Sequence, residues 1–167
     1  MEATDLRAAQ APLKARYRTD PDAARTPLHA SGDFRDEGIT CTVDGWAGPV
    51  RSGLHRATGG DGSDACSGDL LLEALVACAG VTFRSVATAF GADVGEVTVS
   101  ASGTFDARGT LGLDREVPVG IGRVDLTVEV AGAVDDATLE KLAVATERYC
   151  VVGQSLAVPP RFTVRRR

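Results

Sequence analysis

The stretch CSGDLLLEALVACAGVTFRSVATAFG, residues 66–91, decides the fold. Its spacing predicts a helix from about Gly68 to Phe90, with Ser67 as N-cap, Asp69 complementing the dipole in the first turn and Gly91 as the stop. Turned through about 100° per residue, Leu71, Ala74, Leu75, Cys78, Val81 and Thr82 share one face. Leu72, Val76 and Phe83 cover the opposite face, and only a narrow polar stripe with Glu73 and Arg84 remains. A helix apolar almost all round is a buried one, so this segment is expected to be the central helix of the fold.

Working outward, VGEVTVSASGTFDARG (94–109) and VGIGRVDLTVEVAG (119–132) alternate with period two and read as two long strands. Asp135-Asp136-Ala137-Thr138 then opens a second helix, with Leu139, Leu142, Ala143, Thr146 and Cys150 on its apolar face. A last strand lies around Arg161 to Arg165, after Pro159-Pro160. On the other side, TPLHASGDF (26–34), GITCTVDG (38–45) and GPVRSGLH (48–55) read as an antiparallel meander broken by turns such as Arg35-Asp36-Glu37-Gly38. The Gly-rich ATGGDGSDACSG (57–68) reads as a loop, and without G-K-[ST] it is no phosphate cradle. Residues 1–25 are polar and Ala/Arg-rich, an arm or a short helix, and residues 26–167 form one domain. Three strands, a helix, two strands, a helix and a strand predict an α+β fold, mainly antiparallel sheet wrapped around two central helices.

The chain has 167 residues, enough for one core that buries roughly 70% of the unfolded surface. A net charge of −5 argues against a nucleic-acid partner. The basic stretch RFTVRRR (161–167) reads as a strand followed by a solvated tail. The start, MEATDLRAAQAPLKARYR, has no apolar stretch before a cleavage site. The longest apolar run, Ala74 to Phe83, falls well short of the ~20 residues that cross a bilayer. The expectation is a cytoplasmic chain with no membrane partner, whose four cysteines are not a disulfide scaffold. No pair has C-x-x-C spacing, and His29 and His55 stand apart, so neither metal nor cofactor is expected. The absence of GxSxG excludes a serine triad of the hydrolase type, and no acidic pair stands out for two-carboxylate hydrolysis.

The thiols are the remaining chemistry. Cys41 lies in a strand and reads as core. Cys66 precedes the long helix, where the dipole would lower a thiol pKa. On helix electrostatics it is the most activated thiol of the chain, a candidate redox sensor. Cys78 lies nearly three turns inside the helix and would need a neighbouring arginine to ionise. The residues alone leave Cys78 and Cys150 open between core packing and a redox pair, and favour packing, since free cysteine is among the most buried residue types.

CSGDLLLEALVACAGVTFR resembles the central helix of the OsmC/Ohr family, in which an acidic residue, a Leu/Ala run and a small-Cys pair recur. TERYCVVGQSL (146–156) is similar to that family's second motif, a cysteine ending the other helix. With the order of elements, the resemblance spans most of residues 26–167. It implies a thiol peroxidase acting on organic hydroperoxides, with Cys78 peroxidatic, Cys150 resolving and Asp69 at the acidic position of the helix start. It also implies an intertwined homodimer and an external, lipoyl-type dithiol as reductant. An arginine from the N-terminal strands would hold the thiolate; Arg35 is the nearest match and Arg18 the runner-up. Gly68 stands where the family has Pro or Glu, and Cys-Val-Val where Cys-Pro-Val is common. The alternative on the same fold is a non-catalytic small-molecule-binding or stress-linked domain with structural cysteines.

Ionisation alone would not make such a thiol fast. Lowering its pKa from ~8.5 to ~5.5 raises the thiolate share at pH 7 about 30-fold, while nucleophilicity falls roughly 15- to 30-fold. Acceleration must come from donors aimed at the departing oxygen, each worth about 3 kcal/mol.

Overall fold

The computed structural model describes residues 2–167 and is an α+β fold of two sheets and three long helices. The first helix, α1 (Ala3–Thr19), has no buried residue and lies on the central helix. Strands β1 (Ser31–Asp33), β2 (Thr40–Gly45), β3 (Gly48–Gly53) and β4 (Ala65–Cys66) form one sheet in that order. Helix α2 (Ser67–Phe90) follows directly. Then come β5 (Val97–Ser102), a short α3 (Ala107–Thr110), β6 (Asp125–Val130), α4 (Asp136–Tyr149), the single turn α5 (Val151–Gln154) and β7 (Arg161–Arg166). The second sheet runs β5-β6-β7. Pairing is antiparallel except at β3–β4 and β6–β7, which are parallel.

The second sheet keeps the predicted alternation but not the predicted lengths: of 94–109 only Val97–Ser102 is strand, with Ala107–Thr110 turned into helix behind the Asp106 cap, and of 119–132 only Asp125–Val130 pairs. Leu126, Val128 and Val130 alternate inward on β6, and Val97, Val99 and Ala101 do so on β5. Against them pack Phe83 and Ala87 of α2 and Leu139 and Leu142 of α4. Asp135 caps α4 as expected, its carboxylate accepting the Thr138 N–H at 2.9 Å. The buried stripe Leu139, Leu142, Thr146 and Cys150 agrees with the sequence reading.

The basic end is the expected strand, one residue longer than predicted, and its exposed arginines are paired rather than free. Arg165 and Arg166 lie within β7 and pair with Glu129 at 2.7 Å and Asp136 at 2.5 Å, while Arg161 reaches Asp125 at 3.2 Å. The parallel register sets Arg161 beside Asp125 and Arg165 beside Glu129, so the charges of β7 meet acids on β6.

Helix α2 departs from expectation in two ways. It begins one residue early: Ser67 is already helical, and Cys66 is the extended flanking residue with no side-chain cap bond. The cause is β4, where Cys66 pairs with Gly53 and is held in strand geometry. At the other end Gly91 takes φ +65° and stops the helix as predicted. The second departure is burial. Only the i, i+4 stripe Leu75, Ala79, Phe83 and Ala87 is buried, while Leu71 and Phe90 are exposed and Val81 is 73% exposed. One chain supplies cover for one face only. By length and composition alone, α2 is long and apolar enough to cross a membrane. Its unbroken apolar run is shorter, because Glu73 and Arg84 interrupt it; the run alone understated the helix.

Candidate functional site

The two cysteines predicted to meet do so. Both belong to one apolar cluster with Leu75, Ala79, Val124 and Leu126, Cys150 buried inside it and Cys78 at its edge. The periodicity of α2 turns Cys78 toward this cluster, and the end of α4 delivers Cys150. The Cys150 N–H still donates to the Thr146 carbonyl at 2.9 Å, but its backbone then leaves helical geometry at ψ 99°.

Cys150 therefore ends α4 and also starts α5. Its carbonyl accepts the Gln154 N–H at 2.9 Å, and its Sγ accepts the Gly153 N–H at 3.4 Å, as an N-cap side chain does. The next free amide goes elsewhere: the Val152 N–H donates to Cys78 Sγ at 3.5 Å. Thus the consecutive amides of Val152 and Gly153 face the two sulfurs, with the Val152 N–H bonded to Cys78 and also near enough to Cys150 to favour its thiolate. Gly153 is buried, and a Cβ there would lie 3.3 Å from Cys150 Sγ, so a larger residue would press on that sulfur.

The two thiols are not equivalent. Cys150 is 2% exposed, and burial pushes its thiol pKa up. The Gly153 N–H opposes that shift and the neighbouring Cys78 adds to it. Behind Cys150 the space between Thr146, Pro160 and Phe162 is about 10 Å³, room for one water at most. Cys78 is half-buried. One turn beyond it, Val81 and Thr82 line a cleft of about 690 Å³ between α1, α2 and α4, whose other walls include Leu6, Phe90 and Tyr149. A reagent reaching the pair therefore meets Cys78 first.

The other predicted residues lie apart from the sulfurs. Asp69 is exposed in the first turn of α2 and makes no ion pair or side-chain hydrogen bond among the described residues. Arg35 is held within its own hairpin by Asp33 and Asp44, each at 2.6 Å, and donates to neither thiol. These bonds hold the Asp33 carboxyl below its usual pKa. Arg18 is exposed in the last turn of α1. Cys66 Sγ lies over Gly68 and is not joined to the pair. Cys41, expected in the core, is half-buried and lines an open groove with Phe34, Ile39 and Leu54, because nothing in this chain covers that face. Sequence reasoning missed the amides of Val152 and Gly153. A backbone donor carries no residue-type signal, and only Gly153 hinted at it.

A family model described as OsmC-like protein matches residues 60–165. The chain belongs to the OsmC-like family. Both cysteine motifs fall inside the matched span. Solved structures agree in fold. An organic hydroperoxide resistance protein from Elizabethkingia anophelis aligns with a TM-score of 0.68 at 16% identity, over 86% of this chain and 100% of its own. The corresponding protein from Legionella pneumophila gives 0.64 at 17% identity, over 84% and 96%. An OsmC-like protein of unknown function from Vibrio cholerae gives 0.66 at 13% identity, over 86% and 100%. No curated protein matches the chain in sequence.

Proposed function

We propose that this OsmC-like chain is a thiol peroxidase that reduces organic hydroperoxides in oxidative-stress defence, through Cys78 and Cys150. The observation that carries the reading is the meeting of two sulfurs from separate helices in one apolar cluster, the outer one accessible and the inner one buried. The Cys78 thiolate attacks one peroxide oxygen. An S–O bond forms, the O–O bond breaks, and the alkoxide leaves as the alcohol after taking a proton. Cys78 is then a sulfenic acid. The Cys150 sulfur attacks it, an S–S bond forms, and hydroxide leaves as water after taking a proton. An external dithiol of the lipoyl type reduces the disulfide and is itself oxidised.

The burial of Cys150 suits this order, because a thiol held neutral and shielded is spared until the sulfenic acid forms beside it. The reading includes a cytoplasmic setting and a homodimer, without membrane or nucleic acid. The dimer is supported by the apolar side chains one chain leaves uncovered: Leu71 and Val81 on α2, and Ile39 and Trp46 by the first sheet. Asp69 and Arg35 belong to the site through the family pattern. For Arg35 this requires release from Asp33 and Asp44, or delivery by the second copy.

Treatment with one equivalent of an organic hydroperoxide, followed by peptide mass mapping, tests the reading. A Cys78–Cys150 linkage is expected. Unchanged thiols would instead indicate a binding domain, and oxidation confined to Cys66 a sensor. In Cys150→Ser, one rapid turnover followed by sulfinic acid at Cys78 is expected; sustained turnover in that variant would remove the resolving role.

A further inference from the structure

The first turn of α5 leaves its amides without helical partners, and where the Val152 amide points has chemical meaning. A helix start exposes N–H groups that nothing within the helix can accept. In α5 the Gly153 N–H is taken by Cys150 Sγ of the same turn. The Val152 N–H is instead taken by a residue 74 positions away, Cys78 Sγ, at 3.5 Å. Val152 packs against the same apolar cluster as Cys78, where an unmatched amide would be costly. No arginine, lysine or histidine side chain donates to either sulfur among the described residues. The cluster side chains around Cys78 are aliphatic or aromatic apart from Cys150, its one titratable neighbour there.

We infer that the backbone amide of Val152 is the donor that holds the Cys78 thiolate. The inference rests on the reading of Cys78 as the attacking thiol and assigns the anion-stabilising contact to this turn. When Cys78 gives its proton to solvent, the Val152 N–H already points at the sulfur, and a hydrogen bond to a charged acceptor is stronger than one to a neutral thiol. The arrangement also sorts the two sulfurs. The same turn fixes Cys150 through the next amide, so the attacking and resolving atoms are spaced by one rigid peptide unit rather than by two mobile side chains.

Proline at position 152 removes this single N–H. The substitution breaks no helical hydrogen bond, though proline also disfavours the helical Val151 before it, so the variant-free measurement below is the check on any change in the turn. The rate at which iodoacetamide modifies Cys78, followed by peptide mass across pH 5–10, reports its ionisation in the full-length protein. In Val152→Pro the midpoint is expected to rise by about one to two pH units, a loss of about 10- to 100-fold in thiolate at pH 7. Val152→Ala keeps the amide and is expected to match the parent. Equal midpoints in all three proteins would overturn the assignment. A second measurement needs no variant: with ¹⁵N-valine labelling, the Val152 amide proton should move downfield as Cys78 ionises, at the alkylation midpoint. An amide that ignores that midpoint would equally overturn it. Neither measurement uses peroxide, so a failure of the peroxidase reading would appear separately, in peroxide consumption.

Discussion

Strands β2 and β3 of the first sheet and β5, β6 and β7 of the second are each six residues long, yet the two sheets end in different conditions. In the second, Val128 and Val130 are fully buried beneath α2 and α4. In the first, Thr42 is the sole buried residue of four strands, and Phe34, Ile39 and Trp46 lie open beside them. Strand length and backbone pairing are equal, so the difference is one of cover. DLTVEV has an apolar face that a helix of the same chain can seat on. GPVRSG has no such face, and its sheet meets α2 mainly through the two-residue β4. One half of the molecule is covered by its own chain, and the other is left open by it.

The largest effect expected from this contrast is in the second half. Leu142→Ala should lower unfolding free energy by about 2–5 kcal/mol, and Phe83→Ala by about 3–5 kcal/mol, in urea titrations. Neither loss should depend on protein concentration if that core is internal to one chain. A concentration-dependent loss would erase the contrast.

The next effect is smaller and of another kind. Ile39→Ala should cost no more than about 0.5 kcal/mol in a dilute single chain, as exposed substitutions do. If a second copy covers that face, the variant should weaken self-association about tenfold or more, read by sedimentation equilibrium. Unchanged association would mean that the face is closed by something other than this chain.

The smallest expected effect sharpens the contrast by pH. Burial raises the Cys150 thiol pKa in the fold. Between its unfolded and folded values the native state therefore holds more protons, so stability falls as pH rises above the usual thiol range. Below that range it is unaffected. Thermal midpoints of the parent and Cys150→Ala should therefore converge as pH rises toward the alkaline limit, since only the parent loses this contribution. Parallel curves would mean that Cys150 titrates as if exposed.

The parts legible in the sequence are those where periodicity speaks for itself. Leu139, Leu142, Thr146 and Cys150 repeat at helical spacing, and Val97, Val99, Leu126, Val128 and Val130 alternate, so helix α4 and the second sheet followed directly. Helix α2 was legible as an element but not in its burial. Its apolar girth reads as cover all round, while this chain buries only the stripe Leu75, Ala79, Phe83 and Ala87. The same reason placed Cys41 in a core that one chain does not build. Ser67 was displaced as N-cap because β4 pairing outside the helix fixed Cys66 as extended. At the site, two apolar faces said only that Cys78 and Cys150 pack inward; their pairing came from the family resemblance of the two motifs. The engagement of Arg35 did not, since Asp44 stands nine residues away and is brought close only by the β1–β2 register. The Val152 and Gly153 amides belong to every sequence alike and become visible only as geometry.

Cys150 serves as backbone punctuation as well as a thiol, and this has a consequence for motion. Its sulfur is the acceptor that ties down the Gly153 N–H. If the proposed disulfide forms, that sulfur would turn toward Cys78, become a poorer lone-pair partner and let the turn between the fourth and fifth helices slacken. Solvent deuterium should then enter at Gly153 faster in the oxidised protein than in the reduced one, so that a chemical event at one atom is recorded in the breathing of a loop.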